Sequence, residues 1–264
     1  MSAVGVIEDD TEQEVLRLFS DALGYATLHG PDIAHDGSSP ERAGYGEVVL
    51  RDRLLDAVSK LNPSLPASAW DDAVAQVLRF ESASLIENNR RFHRLLVEGV
   101  DVEYSTDDGV VYDKSWLVDF DNPTANDFLA VNQYTVVEDR KERRPDVVVF
   151  VNGLPLGVLE LKNPADEKAT CRRAFNQMQT YKADIPSLMA FTEVLIASNH
   201  WEARLGSLTA DWDRFMAWRT IDGEAIAPKG QLELRTLIEG VFAPERFLDL
   251  VRSFVVFEDD GEQV

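Results

Sequence analysis

The sequence predicts an α/β protein, a mixed sheet sandwiched by helices, and three observations carry that expectation. Apolar residues near the start repeat at helical spacing. The middle of the chain then holds runs rich in β-branched and aromatic residues. Read in order, helix, strand, strand, strand, helix, strand follow one another, a pattern that folds as helices packed on a mixed sheet.

Thr11, followed three residues later by Glu14, has the form of a capping box, and Val15, Leu18, Phe19, Ala22 and Leu23 continue at helical spacing as far as Gly24. Gly30 to Gly46 is rich in Gly, Pro, Asp and Ser and reads as a loop. Helices are expected at about Val48 to Leu61, Trp70 to Phe80 and Ser84 to Val97. Beyond Asp101 the pattern changes: "VEYSTDDGVVYD" reads as a hairpin and "FLAVNQYTVVE" as a strand. Val147 to Val151 and Leu156 to Leu161 flank Asn152-Gly153, a strong hairpin signal. Lys168 to Asp184 reads as a helix that ends before Ile185-Pro186, because a residue preceding proline is pushed out of the helical region. "VLIAS", Val194 to Ser198, is a short buried strand, and Leu232 to Phe257 is apolar at mostly helical spacing.

The 264 residues, 45% of them hydrophobic and 28% charged, have an ordinary globular composition with room for a sizeable core. A single cysteine, Cys171, rules out an intramolecular disulfide and cysteine-rich metal sites, which suits a reducing compartment. The acidic start lacks the form of a signal peptide and no run approaches the roughly 18 apolar residues of a membrane span, so a cytoplasmic protein without a membrane partner is expected. Twenty-six basic against 47 acidic residues give a charge of −21, which repels nucleic acid at long range. DNA contact must therefore be local, metal-assisted or helped by partners. Two local basic clusters exist, Arg140, Lys141, Arg143 and Arg144, and Lys168, Arg172 and Arg173; solvated faces are their commoner meaning. No G-x-x-x-x-G-K-[ST] occurs, so no ATP-binding residues are expected in this chain.

The hairpin around Asn152-Gly153 carries charges at its ends: Asp146 before the first run, Glu160 and Lys162 at the end of the second. With a three-residue loop, Asn152 to Leu154, Val151 faces Pro155 and Asp146 lies opposite Glu160, sharing a face at about 5 Å; other loop lengths shift the pairing. Alternation puts Lys162 on the same face. Two carboxylates so close repel unless one takes up a proton or a cation intervenes. Mg²⁺ needs hard oxygen ligands, often only one or two carboxylates. Phosphodiester hydrolysis uses such a site: the metal polarises the phosphate and activates water, while an ammonium positions that water or neutralises developing charge. E-x-K by itself is common and usually marks a salt-bridged surface strand, but Val158, Leu159 and Leu161 make this strand apolar, where a charge is expensive unless paired or metal-bound. In the following helix Arg173, Gln177 and Tyr181, spaced i, i+4, i+8, form one stripe suited to a nucleic-acid backbone or, as an ordinary alternative, to water.

These residues, with "LGYATLHGPDIA", "YGEVVL", "LIENNRRFHRLLVEGV", "NDFLAVNQYTVVE", "RRPDVVVFVNGLPLGVLELKNP", "AFNQMQTYKADIPSL", "EARLGSLTADW" and "ERFLDLVRSFVVFE" in order, resemble the PD-(D/E)xK nuclease superfamily. Within it they resemble the N-terminal endonuclease domain of the restriction (motor) subunit of type I restriction-modification enzymes, through nearly the whole chain. The resemblance implies a restriction-endonuclease-like αβββαβ core with a mixed central sheet flanked by helices, plus additional helices. It implies a domain over residues 1–257 and the start of a linker, 258–264, to an absent ATP-dependent translocase. Asp146 and Glu160 match the family's metal ligands and Lys162 its catalytic lysine. Gln177 and Tyr181 match the Q-x-x-x-Y element that helps hold DNA, with Arg173 beside them. Glu14 is the candidate for the acidic ligand from the first helix, with Glu12 as the alternative. Mg²⁺ is the implied cofactor, Mn²⁺ its substitute, and ATP serves only the absent motor. Double-stranded DNA and the modification and specificity subunits are the implied partners, the chain alone being a monomer with weak or no cleavage.

A docking domain that keeps the fold without catalysis, and a stand-alone repair or recombination nuclease, are the rival readings. His29, His35, His93 and His200 show no ligand spacing and read as structural or surface residues. Trp212, Phe215 and Trp218 read as core packing.

Overall fold

The computed structural model describes residues 11–107, 109–163, 170–228 and 231–258. A six-stranded mixed sheet in the order β1-β4-β7-β8-β9-β10 forms its centre. The strands are β1 (Ala26–His29), β4 (Phe128–Asn132), β7 (Val147–Val151), β8 (Leu154–Leu161), β9 (Val194–Ser198) and β10 (Ala203–Gly206). β1 runs parallel to β4 and β8 to β9; the other neighbours are antiparallel. Every residue of β7, β8 and β9 is buried, which explains their continuous apolar text: both faces of a central strand are covered.

Period-two alternation decides which cover each residue of β8 meets. Gly157 lies beneath the ring of Phe242, which packs edge-on against Phe19 at 5.2 Å. That face is closed by helix α1, helical from residue 11 and ending in a π-helical turn Leu18–Ala22, together with α8 (Glu233–Val241) and α9 (Pro244–Phe254). Val158 and Glu160 point the other way, toward α6 (Cys171–Asp184), the crossover between parallel β8 and β9. Thr170 caps α6 by accepting from Arg173 N at 3.2 Å.

Between β1 and β4 lie a short turn α2 (Gly30–Ile33), then α3 (Arg51–Leu61), α4 (Ala67–Leu78) and α5 (Leu85–Glu98), and a separate hairpin of β2 (Val100–Thr106) and β3 (Gly109–Ser115) that packs on α4. α7 (Pro186–Met189) follows α6.

Several expectations are corrected. "FLAVNQYTVVE" is not one strand: Gln133 takes a left-handed backbone, φ 51°, after β4, and the chain turns into β5 (Val136–Glu138), which pairs with β6 (Lys141–Arg143). The basic run is thus partly a strand, and Lys141 and Arg143 are tied to Asp184 at 2.5 Å each. The edge strands β1 and β10 were too short to show a period in sequence. Residue 11 is helical, and the start of the first helix, which the Thr11–Glu14 box was expected to mark, adjoins residues 1–10, which lie outside the described residues. α4 begins three residues before Trp70, and the C-terminal run is two helices parted at Phe242–Ala243. Lys168 and the linker residues 259–264 lie outside the described residues. Phe215 is fully buried and Trp212 and Trp218 pack on the core as expected.

Candidate active site

The turn between β7 and β8 is tighter than three residues. Val151 pairs with Leu154, so the loop is Asn152-Gly153 alone, with φ of 52° and 78°, the two positive values a type I′ turn requires. Asn152 is buried and holds the turn in place, its Nδ2 donating to Leu117 O at 2.8 Å and its Oδ1 accepting from Asp127 N at 2.7 Å. A tighter loop alone would shift the pairing by one. A β-bulge between Val149 and Phe150, against Pro155 to Gly157, takes up the difference, and the register resumes at Val149↔Gly157 and runs to Val147↔Leu159. One step further on, Asp146 stands opposite Glu160, as expected but by a different route.

Three neighbours then close on Glu160, which is fully buried. Lys162 Nζ donates to its Oε1 at 2.5 Å and to Gln177 Oε1 at 2.6 Å. Gln177 Nε2 donates to Tyr181 Oη at 2.7 Å, and Tyr181 Oη donates to Glu160 Oε2 at 2.7 Å. The four side chains form a closed ring of hydrogen bonds between the end of β8 and α6. Burial, then the charge of Glu160, pushes the Tyr181 phenol far above its usual value, so it is a donor here and not an anion.

Asp146 is partly accessible. Its Oδ2 accepts from Leu161 N at 2.6 Å and its carbonyl accepts from Gln133 N at 2.9 Å. Its surroundings in the protein, then Glu160, with Glu12 adding a smaller push, hold its carboxyl well above the usual carboxylate range; the Leu161 amide and the Lys162 charge oppose this only in part.

The structure brings Glu12, not Glu14, to this group. Two positions apart on a helix point about 200° from one another: Glu12 is buried and accepts from Asn132 Nδ2 at 2.9 Å, while Glu14 is half exposed and faces His200 at 3.8 Å. Tyr181 is only 1% exposed, so it has no surface to offer DNA, a correction to the backbone-contact reading. Gln177 is half-buried and spends its amide inside the ring, and Arg173, one turn earlier on α6, is exposed.

Sequence reasoning passed over Asn132 and read His29 only as a structural or surface residue; His29 Nδ1 lies 3.0 Å from Asn132 Oδ1. A signal existed: "FLAVN" ends on a polar residue, as the apolar runs of β7 and β8 begin and end on Asp146 and Glu160. A cavity of about 740 Å³ between α4 and the β2–β3 hairpin, lined by Asp72, Asp101, Glu103 and Tyr112, shares no residue with this site. Among the described residues no helix is long and apolar enough to cross a membrane.

Fold and site together define an α/β protein with a carboxylate–lysine group at the ends of its central strands. The chain belongs to the family described as type I restriction enzyme R protein N terminus, whose model matches residues 6–214. The type I restriction enzyme HindI endonuclease subunit of Haemophilus influenzae is 40% identical over 258 residues, 96% of this chain and 24% of that protein. The EcoprrI endonuclease subunit of Escherichia coli is 25% identical over 198 residues, 72% of this chain and 59% of that protein. The SauMSSORF170P endonuclease subunit of Staphylococcus aureus strain MSSA476 is 30% identical over 174 residues, 62% of this chain and 18% of that protein. The chain spans about a quarter of the length of the HindI subunit and of the MjaIXP endonuclease subunit of Methanocaldococcus jannaschii, the two relatives it matches along about nine-tenths or more of its own length.

Proposed function

We propose that this chain is a PD-(D/E)xK endonuclease domain that hydrolyses phosphodiester bonds of double-stranded DNA with Mg²⁺, as the cleavage part of a type I restriction enzyme. The observation that carries this reading is Asp146 opposite Glu160 with Lys162 on the same carboxylate, in a family whose relatives are named as endonuclease subunits. The donor set suits a hard cation: all ligating atoms are oxygens, and several carboxylates share one nearby ammonium. Among the described residues no three His, Cys, Asp or Glu converge as a ready cage. Mg²⁺ sites that rely on one or two carboxylates, water and substrate phosphate need none.

Asp146 and Glu160 would hold the ion, with Glu12 joining them as a third carboxylate. Bound there, it would supply Lewis acidity toward the scissile phosphate. Lys162, already a hydrogen-bond donor inside the site, would turn its ammonium toward a phosphate oxygen or the attacking water. Gln177 and Tyr181 keep Glu160 and Lys162 in place, and Arg173, exposed on the same helix, would meet the DNA backbone. In the longer relatives' context, methyltransferase and specificity subunits would be the partners and an ATP-driven motor would present the DNA. That need is consistent with the −21 charge.

Supercoiled plasmid incubated with the chain and Mg²⁺ or Mn²⁺ tests the reading. Slow nicking, lost in Asp146→Ala and Lys162→Ala and on chelation, is expected. Intact plasmid together with no metal uptake would overturn it in favour of a docking role.

A further inference from the structure

Glu12 reaches the site from a helix, not from the sheet, so something must hold it. The holder is Asn132, the last residue of β4, 1% exposed, whose Nδ2 donates to Glu12 Oε2 at 2.9 Å. With Nδ2 committed to Glu12, Asn132 Oδ1 is left as an acceptor, and His29 Nδ1 lies 3.0 Å from it. His29 must then carry its proton on Nδ1, which fixes both its tautomer and the orientation of the amide. His29 and Asn132 are register partners in the parallel β1–β4 pair, so their side chains share a face.

The backbone is shaped to bring these groups together. Gly30, next to His29, lies so close to β4 that a Cβ would overlap the carbonyl oxygens of Gln133 and Asn132. Gln133, next to Asn132, adopts φ 51°, unusual for a residue with a side chain, and from there donates its N–H to the Asp146 carbonyl at 2.9 Å. One corner of the sheet, where β1 and β4 end, is therefore tied to Glu12 through a side-chain relay and to Asp146 through the backbone.

We propose that His29 and Asn132 are positioning residues for Glu12, a relay running His29 to Asn132 to Glu12 that sets the third carboxylate against the Asp146–Glu160 pair. The inference rests on the metal-site reading above. A hydrogen-bonded partner behind a metal ligand orients it, and its loss typically weakens metal affinity 10- to 100-fold. Asn132→Leu removes both bonds of the relay at similar volume; His29→Leu removes the first; His29→Gln returns an N–H donor at the same place.

The test is the free Mn²⁺ signal in electron paramagnetic resonance during titration of the chain, with thermal melting recorded for each variant. Asn132→Leu and His29→Leu should weaken Mn²⁺ binding, by roughly 10- to 100-fold for Asn132→Leu, Glu12→Gln should do the same, and His29→Gln should restore the wild-type curve. If Asn132→Leu fails to fold, the two His29 variants decide. Wild-type affinity in folded Asn132→Leu or His29→Leu, or in Glu12→Gln, while Asp146→Ala has lost binding, would overturn the relay and leave the metal site standing. Absence of Mn²⁺ binding in the wild type would overturn both.

Discussion

The hydroxyl of Tyr181 donates to Oε2 of Glu160 across 2.7 Å, and Tyr181 is 1% exposed. A residue read in the sequence as a DNA contact is thus a support beneath a carboxylate. Tyr181→Phe keeps the ring and removes the bond, leaving Glu160 one donor short in a dry setting. A loss of roughly 1.5–3 kcal/mol of stability is expected, the range for a hydrogen bond to a charged group. Urea denaturation measures it.

Lys162 is the cation that balances Glu160 in the protein alone, with its ammonium 2.5 Å from Oε1. A metal ion would compete with it for the same oxygen. Lys162→Met should therefore bind Mn²⁺ at least as well as the wild type while nicking falls by about 100-fold or more, the size of a positioned proton donor or charge stabiliser. Parallel titration and plasmid assays separate this from a purely structural role, which would weaken both.

Asp146 gives a pH dependence whose sign is fixed by its upward-shifted carboxyl. Its folded value lies above its unfolded one, so its contribution to stability is complete below the unfolded value, near 3.8, and is lost as pH rises through the folded value. The metal-free protein should therefore be less stable at neutral than at mildly acidic pH as far as this group decides. Asp146→Asn, which retains an acceptor for Leu161 N, should raise the melting temperature at neutral pH in chelator and abolish the gain that Mn²⁺ gives the wild type. Scanning calorimetry with and without chelator checks both.

Gly153 sits at φ 78° in the turn that sets the register, and a Cβ there would strike the Leu50 carbonyl at the start of α3. Gly153→Ala is expected to cost more than about 1 kcal/mol, since strain at positive φ adds to the clash. Thermal melting should show the loss, and metal affinity should fall with it if the register moves.

The central strands were legible because their burial on both faces leaves an unbroken apolar text, and Asn-Gly marks its own turn. Asp146, Glu160 and Lys162 stood out because a charge at the end of such a run is expensive. The bulge opposite Phe150 was not legible: no residue type announces it, and only the pairing of two strands reveals it. Helix one hid its site residue for a related reason. Glu12 and Glu14 differ only in which face of the helix they occupy, and with both acidic residues in one turn the sequence alone does not say which face meets the sheet. Asn132 and His29 lie 103 positions apart in the chain, and nothing short of the β1–β4 register joins them.

The most direct measurement is a calorimetric titration of the chain with Mg²⁺ and Mn²⁺, run beside Asp146→Ala. Saturable binding in the wild type that disappears in the variant, with proton release that grows as pH is lowered toward the raised Asp146 value, is the predicted result. Equal heats in the two proteins, or no binding in either even with a short duplex present, would contradict the claim that Asp146 and Glu160 form a metal site.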